Sequence, residues 1–211
     1  MGFFCLDNDY NILLVTAYHV LSRPNLKIYK GDYITYPSPH DIREYYPSEG
    51  IEKFIIGVVY DWIKIKFEPI HGIFPLTLFR HYNIGDVAVG KIISSIKLEN
   101  KLIDTDKEVV GFSKDYHIGD IVYKDGRTSG LTKGVILSTN WSGWVYYGFK
   151  KAYMVNQILT RLDIRQGDSG SPLINEDYEI IGLCYAGTNN LCIATPAEVI
   201  IRELGIKQLL K

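Results

Sequence analysis

The chain has 211 residues, 46% hydrophobic and 22% charged, with a formal net charge of −1. A chain this long buries about 70% of its unfolded surface, in one large domain or two small ones, which excludes a disordered chain, a coiled coil and a collagen-like repeat. The balanced charge argues against a dedicated nucleic-acid binder, and the longest apolar run, near 11–21, is broken by Thr16 and His19 before it could span a bilayer.

In chain order the predicted elements are short strands, β-branched and aromatic runs separated by Gly, Asp, Asn and Pro. Gly2–Leu6 and Ile12–Ala17 read as a hairpin around Asp7–Asn11. Segment Tyr36–Gly50, rich in Pro, Ser and Tyr, reads as a surface loop or insertion. Phe54–Tyr60, Trp62–Phe67, Val87–Ile93 and Val109–Phe112 follow as strands. Next come Gly119–Lys124, a turn at Lys124-Asp125-Gly126, Gly134–Ser138, Trp144–Tyr147 and Ala152–Ile158. Pro172–Ile174, Ile180–Tyr185 and Leu191–Ala194 complete the strands. One helix closes the chain: Thr195 offers an N-cap hydroxyl, Pro196 the first helical position and Glu198 the third. Val199, Ile200 and Leu204 make its apolar stripe, and Gly205 ends it. Many short strands with one terminal helix predict an all-β fold, a barrel or sandwich built from two halves.

Three cysteines, Cys5, Cys184 and Cys192, are too few for a disulfide framework, although Cys184 and Cys192 could meet across a hairpin. No Cys/His spacing suggests zinc. The first residues lack the basic and apolar regions of a signal peptide, which tilts localisation toward the cytoplasm, of a host cell if the protein is viral.

Three blocks carry chemistry. Gly167-Asp168-Ser169-Gly170-Ser171-Pro172 is a tight turn that would expose the Ser169 hydroxyl, and the Gly167 and Ser169 amides could serve as two oxyanion donors. A serine needs a base with a pKa near neutral. Of five histidines, His40 sits among prolines and His71, His81 and His117 in loops, whereas His19 ends an apolar strand. Asp86 opens the apolar run Val87–Ile92 and could accept from the second imidazole nitrogen, with Asp61 as a competitor that enters a Lys-rich, solvent-facing strand.

In the order His19, Asp86, Ser169 these blocks resemble the chymotrypsin-fold serine proteases. Thr16-Ala17-Tyr18-His19 is similar to the family's Thr-Ala-x-His, Asp86-Val87-Ala88 to its Asp-Ile/Val-Ala, and Gly167–Pro172 to its Gly-Asp-Ser-Gly-x-Pro. The resemblance covers most of the chain and is weakest between Lys27 and His81. It implies two packed antiparallel β-barrels, one in residues 1–108 with His19 and Asp86, the other in 109–211 with Ser169 and the helix. It also implies peptide-bond hydrolysis of protein or peptide substrates through an acyl-enzyme, with no metal or organic cofactor and no nucleic-acid or membrane partner. The family also pulls localisation toward secretion.

Tyr123–Gly134 resembles the hairpin that opens the second barrel in bacterial streptogrisin-type members, where an arginine pairs with the aspartate before the serine. That implies an Arg127–Asp168 ion pair, and loss of activity in Arg127→Ala. By position Asp163 falls at the base of the specificity pocket, with Cys184, Gly187 and Asn190 on its walls. Leu162-Asp163 and Gly170-Ser171-Pro172 also resemble the flavivirus protease, which is similar in spacing and cleaves after basic residues. Asp163 would then select Lys or Arg, unless it caps a loop or pairs with Arg161 or Arg165. The family normally has a strand before the Gly-Phe-Phe strand, so the first barrel is open, filled from within 27–65, or preceded by further chain. Two rival readings stand beside the endopeptidase: a catalytically silent module that holds a partner by strand addition, and a protease confined to itself or one polyprotein.

Overall fold

The computed structural model describes residues 2–70, 81–105 and 107–211. Alternating burial along β-branched runs makes strand the main element of the chain. In the first part these are β1 (Phe3–Asp7), β2 (Ile12–Thr16), β3 (Tyr33–Thr35), β4 (Ile55–Trp62), β5 (Glu68–Pro69), β6 (Tyr82–Asn83) and β7 (Ala88–Ile92). A one-turn helix, Tyr18–Leu21, follows β2 and carries His19, which therefore lies just beyond the strand rather than at its end. The 36–50 segment, expected as loop, contains a second helix, Pro39–Tyr45. Its N-cap is Ser38, whose hydroxyl accepts from the Asp41 N–H, with a proline in the first turn as such caps favour. Of the expected pair, Phe54–Tyr60 forms most of β4, which ends at Trp62, and residues 63–67 of Trp62–Phe67 are not strand.

The second part holds β8 (Gly111–Phe112), β9 (Ile121–Gly126), β10 (Gly130–Tyr147), β11 (Lys150–Arg161), β12 (Pro172–Ile174), β13 (Glu179–Thr188) and β14 (Leu191–Pro196). A third helix, Ala197–Leu204, and β15 (Ile206–Leu209) complete it. Two expected strands, Gly134–Ser138 and Trp144–Tyr147, merge into the 18-residue β10, and register shifts between Ile136 and Gly143 let it bend against β11. The third helix ends, as its sequence predicts, at Gly205 with φ +62. Its N-cap, however, is Pro196, and the Thr195 hydroxyl is used elsewhere.

Among the described residues the strands form two sheets. The second is ordered β10-β9-β12-β13-β14-β11, and β10 also pairs with β11, so these six strands make a closed ring of pairings. Val122, Ile136, Ile158, Leu162, Leu173, Ile181 and Cys192 form a core cluster in this part. The first sheet is a path of six, β15-β1-β2-β7-β4-β3. The edge of β1 expected to be open or filled from 27–65 is taken by β15, which pairs Cys5 with Leu209 and Leu6 with Gln208. Asn100 bolts this junction by accepting from Phe4 N–H at 2.8 Å and donating to the carbonyls of Phe4 and Leu210. The first half also lends strands to the second sheet, where β5 and β6 both pair with β11. No helix among the described residues is long and apolar enough to cross a membrane.

Candidate active site

β2 and β7 lie side by side, Thr16 opposite Ala88, which brings the residues following one strand against those preceding the other. His19 and Asp86 meet there: His19 Nδ1 is 2.8 Å from Asp86 Oδ2, and the His19 backbone N–H donates to Oδ1 at 3.2 Å. Asp86 is fully buried. A buried carboxylate needs its lone pairs filled, and one further side chain donates to this one, while another satisfies the residue's backbone N–H. Tyr147 donates its hydroxyl to Oδ2 at 2.7 Å, and Thr195 Oγ1 accepts from the Asp86 N–H at 3.1 Å. Burial pulls the His19 imidazole down, but the Asp86 charge and hydrogen bond outweigh it and leave the ring above its ordinary value. The Tyr147 phenol is pushed far up, first by burial and then by Asp86. Asp61, the competing carboxylate, lies 3.5 Å from Lys30 on the surface.

The Ser169 turn reaches the same place from the second sheet. Gly170, at φ +95, is backed against the first: a Cβ there would sit 2.1 Å from Thr16 Oγ1 and 3.3 Å from Ala17 N, so only glycine allows this approach. Gly170 N–H donates to Cys184 O and Cys184 N–H to Ser171 O, which stitches the turn to β13. Ser169 Oγ donates to Tyr185 O at 3.2 Å, and among the described residues no hydrogen bond joins it to His19. The Gly167 and Ser169 N–H groups donate to no acceptor among the described residues.

Asp168, also fully buried, anchors the turn. The expected Arg127–Asp168 pair is not formed. Asp168 accepts from Lys124 Nζ at 3.2 Å, Ser129 Oγ at 2.6 Å and the backbone N–H groups of Thr128, Ser129 and Arg165. The reason is positional. β9 runs on to Gly126, so the turn falls at 127–129 and aims the backbone N–H groups of Thr128 and Ser129 inward while Arg127 swings out. Arg127 pairs instead with Asp41 of the second helix. Lys124 sits on the inward face of β9, between buried Val122 and Gly126, and is itself fully buried. A lysine in a buried alternation was the signal to follow. Burial alone would raise the Asp168 carboxyl, yet the hydrogen bonds from Ser129, Arg165 and Thr128 bring it down to about 2.

The expected specificity residues have different surroundings, although Gly187 packs on Ile164 beside Asp163. Asp163 Oδ2 is held by Arg165, 3.1 Å from Nε and 3.0 Å from Nη2, which realises the local pairing among the alternatives. Cys184 is a buried core residue behind the turn, not an exposed wall, because its strand serves to hold the Ser169 segment. Gly187 backs onto Ile164 and Leu191, where a Cβ would meet Ile164 Cγ2 at 2.4 Å. Asn190 lies exposed in the turn between β13 and β14. All three cysteines are free thiols. Among the described residues His40, Asp41 and Glu44 have metal-ligand spacing, but the Arg127 guanidinium on Asp41 opposes a cation there.

One strand-built half thus carries a partly exposed His19 on a fully buried Asp86, and the other a glycine-flanked serine turn. A family model for the trypsin-like peptidase domain matches residues 1–183. The chain thus belongs to the trypsin-like peptidases; it is a serine-type endopeptidase, and its substrates are proteins or peptides. Among solved structures, Thermobifida fusca protease A matches with a TM-score of 0.67 at 18% identity, over 100% of this chain and 91% of that one. Nocardiopsis protease gives 0.65 at 17%, over 99% and 91%. Cellulomonas bogoriensis chymotrypsin gives 0.63 at 17%, over 100% and 90%. At such identities these likenesses carry the fold, which is chymotrypsin-like. No curated protein matches the sequence.

Proposed function

We propose that Ser169 is the nucleophile, His19 the general base and then acid, and Asp86 the carboxylate that orients it, the first two brought together across the halves 1–108 and 109–211. The observation that carries the reading is the 2.8 Å contact of His19 Nδ1 with a fully buried Asp86, beside a turn that glycine alone allows so close. With Nδ1–H committed to Asp86, Nε2 is left to take a proton. Rotation about χ1 carries Ser169 Oγ from Tyr185 O toward that nitrogen, a change between staggered wells. Oγ then attacks the substrate carbonyl carbon as its proton passes to Nε2. The unengaged Gly167 and Ser169 N–H groups are suited to receive the oxyanion. Collapse breaks the C–N bond, the amine leaves with the proton from His19, and water repeats the sequence on the acyl-enzyme.

Selection of Lys or Arg by Asp163 has less support, because an incoming cation would have to displace Arg165 from the carboxylate. The reading favoured is a pocket without a preference for basic residues, and comparable cleavage of Lys, Phe and Glu peptides is its expected result. A fluorophosphonate probe tests the nucleophile. Wild type should be labelled and Ser169→Ala should not. Labelling that survives in Ser169→Ala rejects the nucleophile assignment, and none in folded wild type favours the silent binding module.

A further inference from the structure

Asp86 Oδ2 receives two donors, His19 and Tyr147, at 2.8 and 2.7 Å. Tyr147 is the last residue of β10, and Gly148 at φ +61 turns the chain back toward Lys150, its partner in β11. The hairpin thus hands a phenol from the second sheet to a carboxylate of the first. Its ring meets the imidazole edge-on, centroids 5.7 Å apart, and Phe67 in a T at 5.2 Å. Lys150 closes over that arrangement, Nζ 5.8 Å above the Phe67 ring and donating to Asn25 O at 3.0 Å. The ring cannot leave without breaking several of these contacts.

We infer that Tyr147 is a positioning residue of the peptidase reaction: its hydroxyl fixes the Asp86 carboxylate and takes up part of its charge, which sets how readily His19 holds a proton. This rests on the reading of His19–Asp86 as base and orienting group. With Nδ1 and Oη both on Oδ2, the carboxylate cannot turn without losing a charge-assisted hydrogen bond. The phenol stabilises the anion whether or not the imidazole is charged, so it weakens the pull that Asp86 exerts toward the imidazolium. The groups around the imidazole are Asp86 and Tyr147, with Tyr18 and Tyr185 beside the carboxylate. Burial, with Asp86, keeps both of those phenols protonated. Tyr18 donates away, to Leu26 O, and Tyr185 Oη has no partner among the described residues, so Tyr147 is the phenol that bonds the carboxylate.

The test is the His19 titration midpoint, read by NMR of the imidazole in Ser169→Ala protein with and without Tyr147→Phe, beside pH profiles of kcat/KM in the active background. Loss of the hydroxyl should raise the midpoint by about one unit. The acid limb of kcat/KM should move up with it, kcat should fall and KM should stay. Tyr147→3-fluorotyrosine, a stronger donor of nearly the same shape, should move the midpoint the other way, and it serves alone if the Phe variant does not fold. A midpoint unmoved by a folded Phe variant, or moved the same way by both, overturns the inference. Failure of the underlying reading shows separately, as peptidase activity that survives His19→Ala.

Discussion

Asp86 and Asp168 are both fully buried, and the molecule treats them differently. Asp168 is met inside one half: a lysine and a serine hydroxyl from the 124–129 hairpin, two N–H groups of its turn, and one from its own loop. Asp86 is met from everywhere: His19 from 67 residues before, Tyr147 from 61 after, Thr195 from 109 after. The first carboxylate holds a turn in shape, with Lys124 Nζ 3.2 Å away among its donors. The second has only neutral donors and an imidazole, so its partner can gain and lose a proton. A carboxylate saturated with donors from its own half makes a scaffold, and one bonded to an imidazole makes a base.

The largest expected effect comes from neutralising the second carboxylate. Asp86→Asn should lower kcat/KM by about 10⁴, because an amide no longer enforces the tautomer that leaves Nε2 free. Steady-state kinetics on the folded variant checks this, and a loss below tenfold would equate Asp86 with an ordinary structural aspartate. The first carboxylate should fail by stability instead. Lys124→Met leaves the Asp168 charge buried with neutral donors alone, at a cost of about 3–5 kcal/mol by urea unfolding. Activity should fall with it as the Gly167 and Ser169 amides lose their aim.

Acid should separate the two. His19 lies above its ordinary 6.5, so its contribution to stability is complete below 6.5 and fades as pH rises through the folded midpoint. Activity runs the opposite way, since the base must be neutral, and kcat/KM should climb through that same midpoint. Asp168 is lowered from 3.8 to about 2, so its contribution is complete above 3.8 and lost as pH falls toward 2. Between those limits the protein should be folded and reversibly inactive. Circular dichroism and peptidase assays over one acid titration compare them, and simultaneous loss of both signals would contradict the separation.

How much of this was legible follows the same division. The Ser169 turn and the His19 block could be read because glycines and a histidine in short motifs leave local marks. Both helical ends of the 195–205 segment were also marked, yet Thr195 spends its hydroxyl on Asp86 and Gln157 and not on the helix, since a buried unpaired N–H costs more than an exposed cap. Lys124 could have been read from its inward place on β9. Tyr147 and β15 could not: one depends on the reach of a long bent hairpin, the other on pairing between residues about two hundred positions apart, and neither leaves a local periodicity.

The smallest effect is the most discriminating for the Ser169 turn. Arg127 is 59% exposed and bonds Asp41, so Arg127→Ala should cost below about 1 kcal/mol, as surface pairs do. Asp41 keeps the Ser38 hydroxyl at 2.8 Å, and its helix keeps its cap. kcat should be near wild type, contrary to what the resemblance to streptogrisin-type hairpins implies. The two variants, Arg127→Ala and Lys124→Met, compete directly for one role. If the arginine variant were dead and the lysine variant active, the cation that holds Asp168 during turnover would not be the one buried beside it at rest.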